Sequence, residues 1–205
     1  MDTRQVILRR GQFHLIGMLV AALTLTSCSS GAQIKALPIG GAAPNFSLKD
    51  FTGQEHSLVS LKGKIVVLDF SSMECPYSRG ADLSWVELAN QYGPKGVVFL
   101  GIDSHKSTTT DQLKQYAADN KIPFPILKDV NNTYADAIGA TRTPEVFILD
   151  KDQKIAYHGA FDDRKVPEKV GDTPYVRNAL DDLLAGKPVR TPEMEAWGCT
   201  IKRAK

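Results

Sequence analysis

The segment Lys64-Ile65-Val66-Val67-Leu68-Asp69-Phe70 constrains this chain more than any other. It is apolar at almost every position and only as long as a strand. A continuous run of that kind belongs to a strand covered on both faces. Within a few residues the period changes. From Ala81 the apolar residues recur at Ala81, Trp85, Leu88, Ala89 and Tyr92, one face of a helix that Gly93-Pro94 ends. That face is core, with Trp85 and Tyr92 as its largest members. Downstream, Gly96 to Ile102 reads as a second buried strand, Asp111 to Asn120 as a helix, Ile126-Leu127 as a short strand and Asn131 to Ile138 as a helix. Glu145 to Leu149 and Lys154 to His158 predict two strands joined by a turn, and Asp172 to Ala185 a last helix closed by Gly186. Upstream, Pro44 to Leu48 and His56 to Leu61 alternate around Thr52-Gly53, which predicts a hairpin with His56 on its surface. Strands alternating with helices, followed by a late strand pair, predict an α/β fold with a central mixed sheet flanked by helices.

The front of the chain reads differently. Arg4, Arg9 and Arg10 precede an apolar stretch from Leu15 to Leu25, too short to span a bilayer, and then Leu25-Thr26-Ser27-Cys28. The four residues resemble the bacterial lipobox, in which the cysteine is lipidated and becomes the new N-terminus. The expectation is a lipoprotein signal peptide over 1–27 and a linker over 28–43 rich in Ser, Gly and Ala, with Cys28 lipidated. An ordinary signal peptide cut elsewhere is the alternative. The reading implies an exported protein anchored to a membrane and facing the periplasm, and Ser29 resembles the outer-membrane sorting pattern. Composition limits the rest. With 42% hydrophobic and 23% charged residues the chain is neither disordered, collagenous nor coiled coil. The formal net charge of +2 belongs to the leader, so no basic footprint for nucleic acid remains.

Export makes the three cysteines informative. If Cys28 carries lipid, Cys75 and Cys199 remain, in a compartment where disulfides persist. Cys75 falls where the buried strand turns into the helix, and Pro76 suits the first helical position. Free backbone N–H groups and the positive end of the helix dipole stabilise a thiolate there and lower its pKa. A buried inert thiol is the plainer reading. Cys199 lies in the segment after the last helix, over 187–205. It is a resolving thiol, a permanent staple to Cys75 across a long loop, or a free thiol; spacing leaves all three open.

Four stretches resemble the thioredoxin-like superfamily and, within it, the redoxin branch of peroxiredoxins and exported thiol–disulfide oxidoreductases. They are Ala43 to Leu48 with Gly53; Leu61-Lys62-Gly63-Lys64 running into Val66 to Phe70; Cys75-Pro76-Tyr77-Ser78; and Thr143-Pro144 through Asp150. The resemblance implies a thioredoxin-like domain over 44–186, with the hairpin as an N-terminal extension and the last helix and tail at the other end. It implies a cis-proline at Pro144 facing the reactive cysteine, a catalytic group of Cys75, Cys199, Ser78 and Pro144, and substrate contacts from Glu74, Pro76, Tyr77, Arg142 and Thr143. The expected substrates are a disulfide-bearing protein or a peroxide, with an external thiol as reductant. The thiols carry the electrons, so no cofactor or metal is expected.

The departures are equally specific. Ser78 stands where a dithiol motif has its second cysteine, and Glu74 replaces the usual tryptophan. A cycle confined to this motif is therefore impossible. A peroxidase site would want a proline near Leu68, a threonine at Ser72 and an arginine; Ser72 is conservative, Arg79 and Arg142 are candidates, and the proline is absent. Ser78 is expected to bond the Cys75 thiolate or to cap the helix. Asp162-Asp163-Arg164 reads as a polar cluster lining the site or as ordinary turn residues. The alternative class is a binding or adaptor module without turnover, including a copper carrier built from His105, His158, Cys75 and Cys199.

Overall fold

The computed structural model describes residues 34–204, and the expected signal peptide with Cys28 lies outside that range. Among the described residues no helix is long and apolar enough to cross a membrane.

The chain runs through β1 (Ser47–Asp50), β2 (Glu55–Ser57), β3 (Ile65–Phe70), α1 (Pro76–Tyr92), β4 (Val97–Asp103), α2 (Thr110–Asp119) and β5 (Ile126–Lys128). It continues with α3 (Thr133–Ile138), β6 (Arg142–Thr143), β7 (Glu145–Leu149), β8 (Ile155–Gly159), α4 (Tyr175–Leu184) and β9 (Cys199–Thr200). One seven-stranded mixed sheet has the order β2-β1-β5-β4-β3-β7-β8, and β6 and β9 form a separate pair. All of β3 is buried, with β4 parallel on one side and β7 antiparallel on the other. Its alternation sorts the core into two layers. Val66, Leu68 and Phe70 meet Tyr134, Ile138 and Phe147 on one face. Ile65 and Val67 meet Trp85, Leu88, Tyr92 and Leu180, from α1 and α4, on the other. Each such side chain removed from water contributes about 1.5–3 kcal/mol, so the β3–α1 unit is held as firmly as the domain itself.

The expected mixed sheet is therefore present, with three corrections. Residues 58–61 do not continue a strand: they wind as a 3₁₀ turn that drops Leu58 into the core. The hairpin is no appendage, because β1 pairs with β5 and completes the main sheet. His56 is half-buried, its Nε2 2.8 Å from Asp50 Oδ2. That carboxylate also accepts from the Thr52 and Gln54 backbones and the Thr52 hydroxyl. These bonds outweigh the burial that would raise its pKa and hold it down at about 2.

Both flanks of the domain pack onto it. Leu37 N donates to Ile138 O and Gly40 N to Ile155 O, while Ala36 and Leu37 cover the core. At the other end the tail recrosses the sheet edge. Met194 N donates to His158 O, His158 N to Pro192 O, and Ile201 is buried beside α3. A side chain on Gly159 would meet the Met194 carbonyl at 1.7 Å, so only glycine permits this crossing.

Candidate active site

Cys75 is the N-cap residue of α1, extended at φ −89° and ψ 118°, with Pro76 at the first helical position. The residue is 2% exposed. Across from it the chain makes a cis peptide at Thr143-Pro144, and as a thiol Cys75 donates to Thr143 O at 3.0 Å. β6 ends there, and β9 pairs with it antiparallel in the register Thr143↔Cys199 and Arg142↔Thr200. The two-residue ladder brings Cys199, 124 positions away in sequence, within hydrogen-bonding reach of Cys75.

The two thiols are not equivalent. Burial pushes the Cys75 thiol up, but the Cys199 thiol, the Ser78 backbone N–H and the Thr143 hydroxyl together pull it below its ordinary value. Cys199 is half-buried; burial and then the bond to Cys75 push it up to about 11. Of the pair, Cys75 is therefore the thiol that ionises first, its thiolate accepting from a Cys199 thiol. A thiolate is the nucleophile in disulfide and peroxide chemistry, and a neighbouring thiol is what resolves its product.

The remaining expected residues have more particular places. Ser78 serves through its backbone N–H, while its hydroxyl accepts from Ser72 N at 3.3 Å and ties the turn to the helix. Ser72 is buried and its hydroxyl accepts from Glu74 N. Glu74 is engaged by the chain itself: Oε1 accepts from the Ser107 hydroxyl at 3.0 Å, and Oε2 lies 3.4 Å from His105 Nε2 and 3.5 Å from Lys202 Nζ. These contacts link it to the 105–107 turn and to the tail while its side chain remains exposed. Tyr77 bridges three segments, its ring 5.3 Å from that of Trp197 and its hydroxyl donating to Lys165 O. Pro76 is exposed beside Cys75, and Arg142 is exposed on a groove of about 480 Å³ shared with Lys165, Tyr175 and Trp197. Arg79 is also exposed, and the groups that hold the thiolate are all uncharged donors.

Asp162 and Arg164 are both buried, joined by two bonds of 2.9 and 2.8 Å. This clamp, with Trp197 Nε1 donating to Asp162 O, seats the tail as it approaches β6. The copper arrangement is not assembled. His105 is spent on Glu74 and Ser107, and His158 Nε2 lies 2.7 Å from Glu145 Oε1. Among the described residues no three or more His, Cys, Asp or Glu side chains converge as metal ligands would.

Two buried carboxylates escaped the sequence reading. Asp69 occupies the α1-facing phase of β3, where the pattern calls for an apolar residue; it is 3% exposed and its Oδ1 has no hydrogen-bond partner. Burial, reinforced by Asp82, pushes its pKa well above the carboxylate range. Asp82, bonded to the Tyr116 hydroxyl, is itself raised by burial to about 6. A carboxylate interrupting a doubly buried strand was the available signal. Glu145, next after Pro144, accepts at Oε2 from the backbone N–H groups of Thr141 (2.6 Å) and Arg142 (2.7 Å). It thereby fixes the corner from which β6 presents Thr143.

The AhpC/TSA family profile matches residues 39–158. Among curated relatives, the thiol-disulfide oxidoreductase ResA of Geobacillus thermodenitrificans is 30% identical over 67% of this chain and 79% of its own. Peroxiredoxin Q of Oryza sativa subsp. japonica is 27% identical over 78% of this chain and 76% of its own. An uncharacterized conserved protein from Geobacillus kaustophilus superposes with a TM-score of 0.77 at 34% identity, over 82% of this chain and 93% of that one. Thioredoxin-like structures follow at lower identity, including a putative thioredoxin from Neisseria meningitidis (TM-score 0.58, 22% identity, 73% of this chain and 93% of that one). With the strand–turn–helix cysteine, the cis-proline opposite it and a match over most of the domain, the chain belongs to the AhpC/TSA family of thioredoxin-like thiol oxidoreductases.

Proposed function

We propose that Cys75 and Cys199 form one redox couple that reduces an electrophilic S–S or O–O bond. The Cys75 thiolate attacks one atom of that bond. An S–S substrate yields a mixed disulfide and expels a thiolate; an O–O substrate yields a sulfenic acid and expels an alkoxide or hydroxide. Cys199 then attacks Cys75 Sγ and expels the second thiolate, or hydroxide, which takes up the proton Cys199 gives up. The substrate gains two electrons, the Cys75–Cys199 disulfide forms, and an external dithiol restores both thiols. The observation that carries this reading is the β6–β9 register, which sets Cys199 beside Cys75 with opposite shifts in their pKa values. Treatment with one equivalent of hydrogen peroxide, followed by alkylation and intact mass, is expected to show both thiols lost to one intramolecular disulfide. Loss of Cys75 alone would assign resolution to an outside thiol.

In the same reading the chain is exported and held by lipid on Cys28, facing the periplasm at the outer membrane. The support is the order of Arg4, Arg9 and Arg10, the apolar Leu15 to Leu25 stretch and Leu25-Thr26-Ser27-Cys28, followed by Ser29. Cys28→Ser is expected to move the protein from the membrane to the soluble fraction; retention in the membrane would sink the anchor.

A further inference from the structure

A polypeptide disulfide that reacts with a recessed thiolate must lay its backbone against the protein beside that sulfur. At Cys75 the adjacent backbone edge is β6, whose Thr143 carbonyl lies 3.0 Å from Sγ. This edge is taken. β9 pairs with it through Thr143↔Cys199 and Arg142↔Thr200, and Ile201 N extends the contact to Thr141 O at 3.0 Å. The fit is close. A Cβ on Gly198 would stand 2.3 Å from Thr143 O and 3.2 Å from Pro144 Cδ, and Gly198 holds a φ of +115° that other residues rarely adopt. The strand is anchored on both sides of Cys199, by Trp197 Nε1 on Asp162 O and by the buried Ile201. Beyond it, Arg203 Nε bonds Asp136 at 2.7 Å and Ala204 N donates to Asn132 Oδ1 at 2.7 Å.

We propose that β9 is a resident strand: the chain's own tail fills the edge where an extended cysteine-bearing polypeptide would dock, and so confines Cys75 to small oxidants. The inference rests on Cys75 being the nucleophile. Cys199 presents its thiol to Cys75 in the register a docked peptide cysteine would use, so the tail acts both as the resolving arm and as the competitor for that site. A hydroperoxide or a low-mass disulfide needs to reach the sulfur but needs no backbone edge. A polypeptide disulfide needs both, and the second is occupied. Specificity here comes from an excluded position rather than from an added contact.

The test compares two oxidants with the same leaving group. In a Cys199→Ser background, which keeps the strand but stops resolution, Cys75 is reacted with 2,2′-dithiodipyridine and with an extended peptide carrying a 2-thiopyridyl disulfide on a central cysteine. Release of pyridine-2-thione gives both rates, and hydrogen peroxide provides the O–O arm. Adding Gly198→Val, which cannot keep the backbone or the contact at that position, is expected to raise the peptide-to-small-disulfide rate ratio by about tenfold or more. Ile201→Asp, which places a charge in the buried anchor slot, is expected to do the same by a different route. Using a ratio cancels any general change in Cys75 reactivity, and circular dichroism checks that each variant is folded. An unchanged ratio in both variants would overturn the resident strand while leaving Cys75 as nucleophile. Absence of reaction with every oxidant, in parent and variants alike, would instead overturn the nucleophile and the inference with it.

Discussion

Cys75 and Cys199 sit side by side, yet two different kinds of structure put them there. Cys75 is placed by neighbours in sequence: a buried strand, a short turn and a proline-started helix, all within residues 65–92. Cys199 is placed by remote contacts alone, a two-residue strand held by Thr143, Trp197 and Ile201. The local frame sets Cys75 at the helix terminus under the Ser78 N–H, while the Cys199 thiol and the Thr143 hydroxyl, both remote in sequence, add to the pull that lowers its pKa. The remote frame supplies a protonated thiol, raised to about 11. The position of the nucleophile thus lies in the rigid part, and both its activation and the competence to complete a cycle draw on the part attached last.

Breaking the local half is expected to have the largest effect. Cys75→Ser should lower turnover with any oxidant by about a thousandfold or more, measured with a thiol-regenerating assay. A smaller but still large difference should separate the two thiols in alkylation against pH. Cys75 should titrate below an ordinary thiol and Cys199 near 11, read by mass spectrometry of the labelled peptides. The sign for stability follows. The contribution of the Cys75 thiolate is complete above the unfolded thiol pKa and fades as pH falls through its lowered value. Glu145→Gln attacks the junction of the two halves by loosening the corner before β6; a loss of about 1–3 kcal/mol in denaturant unfolding is expected, with slower closure of the Cys75–Cys199 disulfide. Asp69→Asn should act in the opposite direction. Its raised pKa means that wild-type stability declines as pH climbs from the unfolded carboxylate value toward the raised one, so Asn, which does not titrate, should abolish that decline and leave the variant more stable than wild type at neutral pH, read by denaturant unfolding across pH. Lys202→Ala, which breaks an exposed 3.5 Å pair with Glu74, should change stability by about 0–1 kcal/mol.

What the sequence made legible follows the same division. The β3–α1 unit announces itself through a continuous apolar run followed by a period-near-four face, and its cysteine lies between the two patterns. β6 and β9 are two residues each, too short to carry a period, and their pairing is a property of the folded tail. Residues 58–61 misled because alternation in so short a window also suits a 3₁₀ turn that buries one leucine. Asp162 and Arg164 are both turn residues and a buried clamp, and only the position of Trp197 decides that. Asp69 and Glu145 were visible as charges inside buried runs, but Asp82 reaches Asp69 only through the fold, and Glu145 reaches the 141–142 backbone only because the chain turns back on itself just before β7.

The β6–β9 pairing also has a thermodynamic reach. A thiol tethered by a flexible segment meets its partner at an effective concentration in the millimolar range. A thiol laid in register against it meets its partner far more often, because the folding of the tail has already met the entropic cost of the encounter. The free energy that seats Trp197 and Ile201 therefore appears a second time, as a more negative reduction potential for the disulfide that the seated strand closes. Any substitution that loosens the tail should make the oxidised protein easier to reduce, even when it lies far from both sulfurs.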